Sequence, residues 1–255
     1  MKDTDFEDFW NGLSQLWKAD LSHGLGNDYS LRGKIPVSFE ELNKVKLLYL
    51  CQHSNLEPLL HLPNLEALFL SGWVNIDYTS LSKCENLKEL GLANTDIDNL
   101  NWITSLKKLK KLSISKTKIK NIEPLLSLPS LTELNISETD IVDWKPLTSI
   151  HKLSKLYAFY CKKPIDLETV SKLKNLTLID IRGNDIENLN FLSELKKLKC
   201  IWDIDCGTNN YDVLKKLPSL NQIGCRKEVF EEIKDWFIDK TMHYNVNGKE
   251  ITIKK

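Results

Sequence analysis

Most of the chain repeats one hydrophobic signature, L-x-x-L-x-L, whose copies begin at Val45, Leu65, Leu87, Leu109, Leu131, Leu153, Leu176, Leu198 and Leu220. The interval is 22 residues, except for one of 20 at the start and one of 23 after Leu153. If the first apolar residue of each copy is position 1, positions 1, 4 and 6 hold Val, Leu or Ile everywhere except at Ala158, Asp203 and Cys225. This alternation predicts a short strand with one face turned to a core. A unit this small cannot bury that face alone. The period therefore predicts a solenoid in which stacked coils share one continuous core.

The second half of each unit carries apolar residues near positions 11, 14, 17 and 20, as in Ile97, Leu100, Ile103 and Leu106. A spacing of three predicts a short helical or 3₁₀ return segment on the outer side. Pro58, Pro124 and Pro146 fall where such a segment would begin, and Pro63, Pro129 and Pro218 fall where it must stop. Position 9, where the chain leaves the strand, reads Thr95, Thr117, Thr139, Cys161, Asn184 and Cys206 in the inner coils. Small hydrogen-bonding side chains there would satisfy backbone groups trapped inside the turn. His53, Trp73 and Glu228, at the ends, break the rule as terminal repeats do.

The segment 87–97, LKELGLANTDI, resembles the leucine-rich repeat consensus L-x-x-L-x-L-x-x-N/C-x-L. The 22-residue unit resembles the class that contains bacterial internalins and a regulatory subunit of a protein phosphatase. The resemblance implies an α/β fold, a leucine-rich repeat right-handed solenoid (horseshoe). A parallel β-sheet would form its concave face, short helical or 3₁₀ segments its convex face, and helical caps both ends. It implies no particular chemistry, because the family shares an architecture and not a reaction. The preference for Thr over Asn at position 9 departs from the consensus and is expected to loosen the turn ladder without abolishing it.

Both ends of a solenoid expose core and need caps. Residues 1–44 are read as an N-terminal helical cap, 45–226 as a solenoid of nine repeats, and 227–255 as a capping helix and β-hairpin. Phe6, Phe9, Trp10, Leu13, Leu16 and Trp17 recur at helical spacing with Thr4 or Asp5 as N-cap, and Ser38–Glu41 is a capping box opening a second short helix. Between them, 23–28 (HGLGND) reads as a loop. Val229, Phe230, Ile233, Trp236 and Phe237 predict a helix over about 227–239, and the alternation around Asn247-Gly248 predicts a type I′ hairpin.

Composition narrows the function. Thirty-five basic residues balance 35 acidic ones, which argues against a dedicated nucleic-acid or membrane-surface protein. The acidic amino terminus does not resemble a signal peptide, no apolar stretch is long enough to cross a bilayer, and the six scattered cysteines read as reduced thiols. These features predict a cytoplasmic protein. The five histidines are dispersed, and no metal-spaced or nucleophile motif occurs, so no enzyme activity, metal or cofactor is expected.

Positions 3, 5, 7 and 8 should project from the concave face. In the middle coils they are small or charged, whereas the later coils bring Tyr157, Phe159, Tyr160, Asp180, Arg182 and Trp202, and the first two bring Tyr49 and Phe69. Asp203 occupies a core position; a bulge after Trp202 would turn it outward and put Ile204 inside. Exposed Tyr, Trp and Arg are the residues that dominate binding hot spots. The expected function is a non-catalytic module that binds a protein partner on this face, in an inhibitor, immunity or regulatory-subunit role. Two other readings stand beside it. One is a self-associating structural protein, a homodimer through the hairpin or the aromatic patch. The other is an acidic-polymer or nucleic-acid binder using Lys107, Lys108, Lys110, Lys111, Lys116, Lys118 and Lys120.

Overall fold

Each L-x-x-L-x-L copy lays down one strand in the computed structural model, which describes residues 3–24, 38–51, 53, 55–72, 76–202, 211–237 and 239–254. Strands β1 (Leu47–Cys51), β2 (Ala67–Ser71), β3 (Glu89–Gly91), β4 (Lys111–Ser113), β5 (Glu133–Asn135), β6 (Lys155–Tyr157), β7 (Leu178–Asp180), β8 (Cys200–Trp202) and β9 (Gln222–Cys225) pair in parallel and in chain order. Their register advances one repeat per strand. Position 4 thus forms a single row, Leu48, Leu68, Leu90, Leu112, Leu134, Leu156, Ile179, Ile201 and Ile223. No member of that row is more than 2% exposed. Truncating one of these leucines to alanine should cost about 2–5 kcal/mol, since the coils on both sides lose contacts.

Beyond the short strands the ladder continues into the turn. The N–H groups of Leu92, Ile114, Ile136 and Ala158 donate to Ser113, Asn135, Tyr157 and Asp180 in the next coil at 2.8–2.9 Å. At position 8 the backbone becomes left-handed in every described inner coil: Gly72, Asn94, Lys116, Glu138, Tyr160 and Gly183 have φ between 49° and 72°. Glycine and asparagine accept this conformation readily, while Lys, Glu and Tyr hold it at a cost of roughly 1 kcal/mol each. Their N–H groups still reach across, as Lys116 does to Ser137 at 2.9 Å and Tyr160 to Arg182 at 2.8 Å.

Position 9 then closes the corner. Buried Thr95, Thr117 and Thr139 donate their hydroxyls to the carbonyls of Leu92, Ile114 and Ile136, at 2.8, 2.7 and 2.5 Å. Each bond stays within its own coil. Asn184 does more: its Nδ2 donates to Ile181 at 2.6 Å and to Ala158 of the preceding coil at 2.8 Å, and its Oδ1 accepts the Cys161 N–H at 3.0 Å. Threonine therefore satisfies its corner but gives up the bond between coils, which gives the looser ladder a definite form. His53 meets Asp20 of the N-terminal cap instead, 2.6 Å from Nε2 to Oδ2; Trp73 and Cys206 lie outside the described residues.

The return segments are 3₁₀ helices, as in Glu57–His61, Asn101–Ser105 and Glu123–Ser127. Three residues per turn place Leu100, Ile103, Leu106 and Leu109 in one buried line, and each donates its N–H to the carbonyl of the one before at 3.0 Å. Pro58, Pro124 and Pro146 stand at the segment starts. The coil of 23 residues is the exception. Its added residue is taken up by a short α-helix, Leu167–Ser171, capped by Asp166.

The N-terminal cap differs from its expected single helix. Two helices form, α1 (Asp3–Gly12) and α2 (Gln15–Gly24), broken around Leu13 and Ser14, whose hydroxyl accepts the Trp17 N–H at 3.2 Å. Helix α1 starts at Asp3, so Thr4 and Asp5 lie inside it. Phe6, Trp10, Trp17 and Leu21 are buried over the first coil, whereas Leu16 turns to solvent. Helix α3 (Phe39–Leu42) has Ser38 as N-cap, accepting the Glu41 N–H at 3.3 Å. His23 and Gly24 end α2, and the remainder of the expected loop is outside the described residues.

With Leu167–Ser171 taken as α4, the C-terminal helix α5 (Lys227–Ile233) is shorter than expected. The hairpin joins the sheet: β10 (Met242–Val246) pairs in parallel with β9, and β11 (Lys249–Ile253) pairs antiparallel with β10. Asn247 and Gly248 both have positive φ, as a type I′ turn requires. Among the described residues no helix is long and apolar enough to cross a membrane, and Cys51, Cys84, Cys161, Cys200 and Cys225 are free thiols.

Replacing Asn184 with Ala leaves the Ile181 carbonyl and the Cys161 N–H unsatisfied in a half-buried corner, with only the Cys161 thiol at 3.4 Å left on the Ala158 carbonyl, and should lower the urea-unfolding free energy by about 2 kcal/mol. Asn184→Thr, which restores the intracoil bond, should recover roughly half of that loss.

Candidate partner-binding face

The in-phase register that buries position 4 also aligns positions 3 and 5 on the opposite, solvated face. Position 3 runs Glu89, Lys111, Glu133, Lys155 over β3–β6, with signs alternating from strand to strand. Lys111 pairs with Glu89 at 2.7 Å and Lys155 with Glu133 at 3.2 Å. The Glu89 carboxylate, accepting its hydrogen bond, raises the Lys111 ammonium above the ordinary lysine value. Beside the first of these pairs lie small side chains, Gly91, Ala93, Ser113 and Ser115, followed by Asn135 on β5 before Tyr157 on β6. The middle of the face is thus a shallow, electrically balanced trough.

Aromatic residues stand at both sides of that trough. On β1 and β2, the rings of Tyr49 and Phe69 stack at 4.9 Å and 14°. Tyr49 is 65% exposed. Phe69 leans over Gly91 of the next strand, where an added Cβ would come within 2.6 Å of its ring. The same device recurs later, since a Cβ on Gly183 would collide with the ring of Tyr160, one coil before it. Tyr160 is 60% exposed and meets Phe159 edge-on at 6.1 Å. The signal for both contacts was present in the sequence: an aromatic residue followed one coil later, at the same position, by glycine.

Tyr157, Asp180 and Trp202 are direct neighbours across β6, β7 and β8. Tyr157, Phe159 and Trp202 are half-buried, so each keeps part of its ring in solvent. Asp180 departs from expectation. It is only 2% exposed and its carboxylate is taken by Arg182, whose Nε and Nη2 reach it at 2.9 and 2.7 Å. The flanking rings remove the carboxylate from water, and Arg182 supplies the compensating charge. Arg182 also lies over the Phe159 ring, 5.3 Å from its centroid. Asp180 thereby positions Arg182, and the guanidinium, with a side chain 45% exposed, is the group presented outward. Burial raises the Tyr157 phenol above its usual value, helped by the charges of Glu133, Cys200 and Asp180. Burial and Asp180 push the Cys200 thiol up to about 12.

The hairpin borders the cluster. Asn245, Asn247 and Gly248 join Arg182, Trp202, Gly224 and Arg226 around an open cleft of about 340 Å³. Asp203 and its expected bulge lie outside the described residues. Three lysines of the fourth repeat are engaged, Lys111 with Glu89 on the sheet, Lys107 with the Ser127 carbonyl at 2.9 Å and Lys108 with Asn86, while Lys110, Lys116, Lys118 and Lys120 are exposed. His53 and His61 both serve the N-terminal cap, where His53 packs on Trp17 and His61 on Phe9 and Phe39. Desolvation holds the His61 imidazole below the ordinary histidine value.

Residues 107–149 match the family model for leucine-rich repeats in two copies. Among solved structures, internalin C2 of Listeria monocytogenes is similar with a TM-score of 0.67 and 22% identity, over 83% of this chain and 92% of that one. A leucine-rich repeat protein of Leptospira interrogans is similar with a TM-score of 0.55 and 19% identity, over 74% of this chain and 50% of that one. No curated protein sequence matches the chain. Leucine-rich repeat proteins generally mediate protein–protein interactions and are generally not enzymes.

Arg182→Leu should strand the Asp180 carboxylate and destabilise the fold by about 3 kcal/mol in urea unfolding. The double variant Asp180→Asn/Arg182→Leu, which removes the charge as well, should unfold at higher urea than the single one. Equal midpoints would show that the ion pair does not support the sheet.

Proposed function

For a leucine-rich repeat protein of the internalin-like type, we propose a non-catalytic module whose concave face holds a protein partner. Tyr157, Phe159, Tyr160 and Trp202 anchor that partner, and Arg182, braced by Asp180, orients it. Tyr49 and Phe69 form a second contact, five and four strands before Tyr157 and about 24 and 19 Å away at the usual strand spacing. The observation that carries this reading is the half-exposed aromatic cluster around one ion-paired arginine on a solvated sheet. Such strands have no structural use for rings there, whereas hot spots are built from them.

The trough between the two aromatic sites suits a partner that spans both. Its charges pair internally, so they resist a strongly charged ligand and tolerate a neutral ridge. Lys107, Lys108 and Lys111 of the fourth repeat are each engaged by a different group of the chain itself, which weighs against their use as a track for a nucleic-acid backbone. Free thiols, one of them exposed at Cys51, suit a cytoplasmic protein.

Immobilised wild type and the variant Tyr157→Ala/Trp202→Ala, both incubated with native lysate, provide the test. The wild type should retain a discrete protein that the variant loses almost entirely, since each truncated anchor is worth about 2 kcal/mol or more. Equal recovery from both would remove the assignment of the site.

A further inference from the structure

The two ends of the solenoid are closed differently. At the N-terminal end α2 lies over the first coil, and Gly24 fits against Val45, Leu48 and the Leu47 carbonyl so closely that a Cβ would come within 2.8 Å of side-chain carbons. At the other end the sheet simply runs on to β11, which has a strand on one side only among the described residues. Its Ile251 and Ile253 pack against the core yet stay half-exposed. Among the described residues the last apolar layer is therefore covered on its inner side alone.

We propose that this edge pairs with β11 of a second copy of the chain, antiparallel and centred on Thr252. In a hairpin with a two-residue turn the closing pair, Val246 and Lys249, is hydrogen-bonded. By alternation Glu250, Thr252 and Lys254 turn their N–H and C=O groups to the open edge. Centring on Thr252 sets these residues opposite one another, Glu250 facing Lys254 of the partner and Thr252 facing Thr252 of the partner. It also sets Ile251 opposite Ile253 of the partner on the core face, which continues the core across the junction. About six backbone hydrogen bonds become available in this register.

Charge decides between this arrangement and the rival explanation, that the charged residues merely guard an edge. A guard works by repelling every approaching copy, and lysines alone would do so. Here opposite charges stand two residues either side of Thr252, all exposed. They attract in the antiparallel register and repel in a parallel one, where Glu250 would meet Glu250. A one-residue slip would set Ile251 against side chains of the polar face. The sequence 249–254, KEITIK, thus selects a single self-pairing.

Sedimentation equilibrium of the whole chain across a range of concentrations tests the pairing. The wild type should show a reversible monomer–dimer equilibrium. Glu250→Lys or Lys254→Glu alone should weaken it about tenfold, because two cross-strand pairs turn repulsive in each dimer. The swap Glu250→Lys/Lys254→Glu should restore it. Circular dichroism should be unchanged throughout, as both side chains are exposed. A monomer at every concentration overturns the proposal, and so does a dimer indifferent to the single reversals or one that the swap fails to rescue. Tyr157→Ala/Trp202→Ala should dimerise like wild type; if it alone loses dimerisation, the copies meet through the aromatic face and the edge pairing is wrong.

Discussion

A coil of 22 residues must turn a corner inside the protein, and the polar backbone at that corner has to be satisfied without water. The chain meets this constraint with two adjacent positions. A left-handed residue at position 8 swings the chain out of the sheet while its N–H still reaches the next coil, and a hydrogen-bonding side chain at position 9 takes the carbonyl left behind. An unpaired group at each corner would cost about 1–3 kcal/mol, repeated along the stack. Because the described inner corners share this geometry, β1 to β9 all begin at the same position of the repeat. The in-phase register of the sheet follows from that, and so does the alignment of each position into a row.

Rows make the surface legible as a pattern. Interdigitated leucines require position 4 to be apolar throughout, but positions 3, 5 and 7 are free of the core and can be composed strand by strand. The chain uses that freedom unevenly. Alternating Glu and Lys at position 3 neutralise one another across the middle strands, and small residues at position 5 leave the sheet bare. Rings are confined to the two sides of this trough, with Phe69 and Tyr160 each leaning over a glycine. Position 8 adds Tyr160 in a conformation that a bulky residue adopts only at a cost. An exposed ring held at such a corner gains nothing for the fold, which is consistent with selection for what it touches outside.

The sequence made the core, the strand faces and the return segments readable because each depends on local period. Asn184 and the threonines of position 9 were equally readable, since small polar residues at one phase of a buried repeat have few other uses. What failed depends on contacts between distant residues. The stripe from Phe6 to Trp17 looks like one helix, yet the break around Ser14 lets Trp17 and Leu21 reach the first coil while Leu16 faces outward. Asp180 occupies an outward phase, and nothing in its neighbourhood along the chain says that flanking rings on β6 and β8 will bury it. Arg182, two residues on, was the only local clue. The left-handed position 8 was missed although Gly72, Asn94 and Gly183 announce it; Lys116, Glu138 and Tyr160 at the same phase concealed the rule.

Adding strands beyond helix α5 at the C-terminal end changes the nature of the cap. A helix such as α2 covers apolar surface and keeps its own backbone bonded internally, so it terminates the stack. A hairpin covers the last coil through the ladder itself, and each strand added leaves another row of donors and acceptors. Water satisfies those groups well, which is why a polar, charged last strand is stable in isolation. Yet Ile251 and Ile253 remain half-exposed, a layer of core with a strand on one side only among the described residues. A repeat stack stops cleanly only where its edge offers neither apolar surface nor open backbone, and among the described residues the β11 edge offers both.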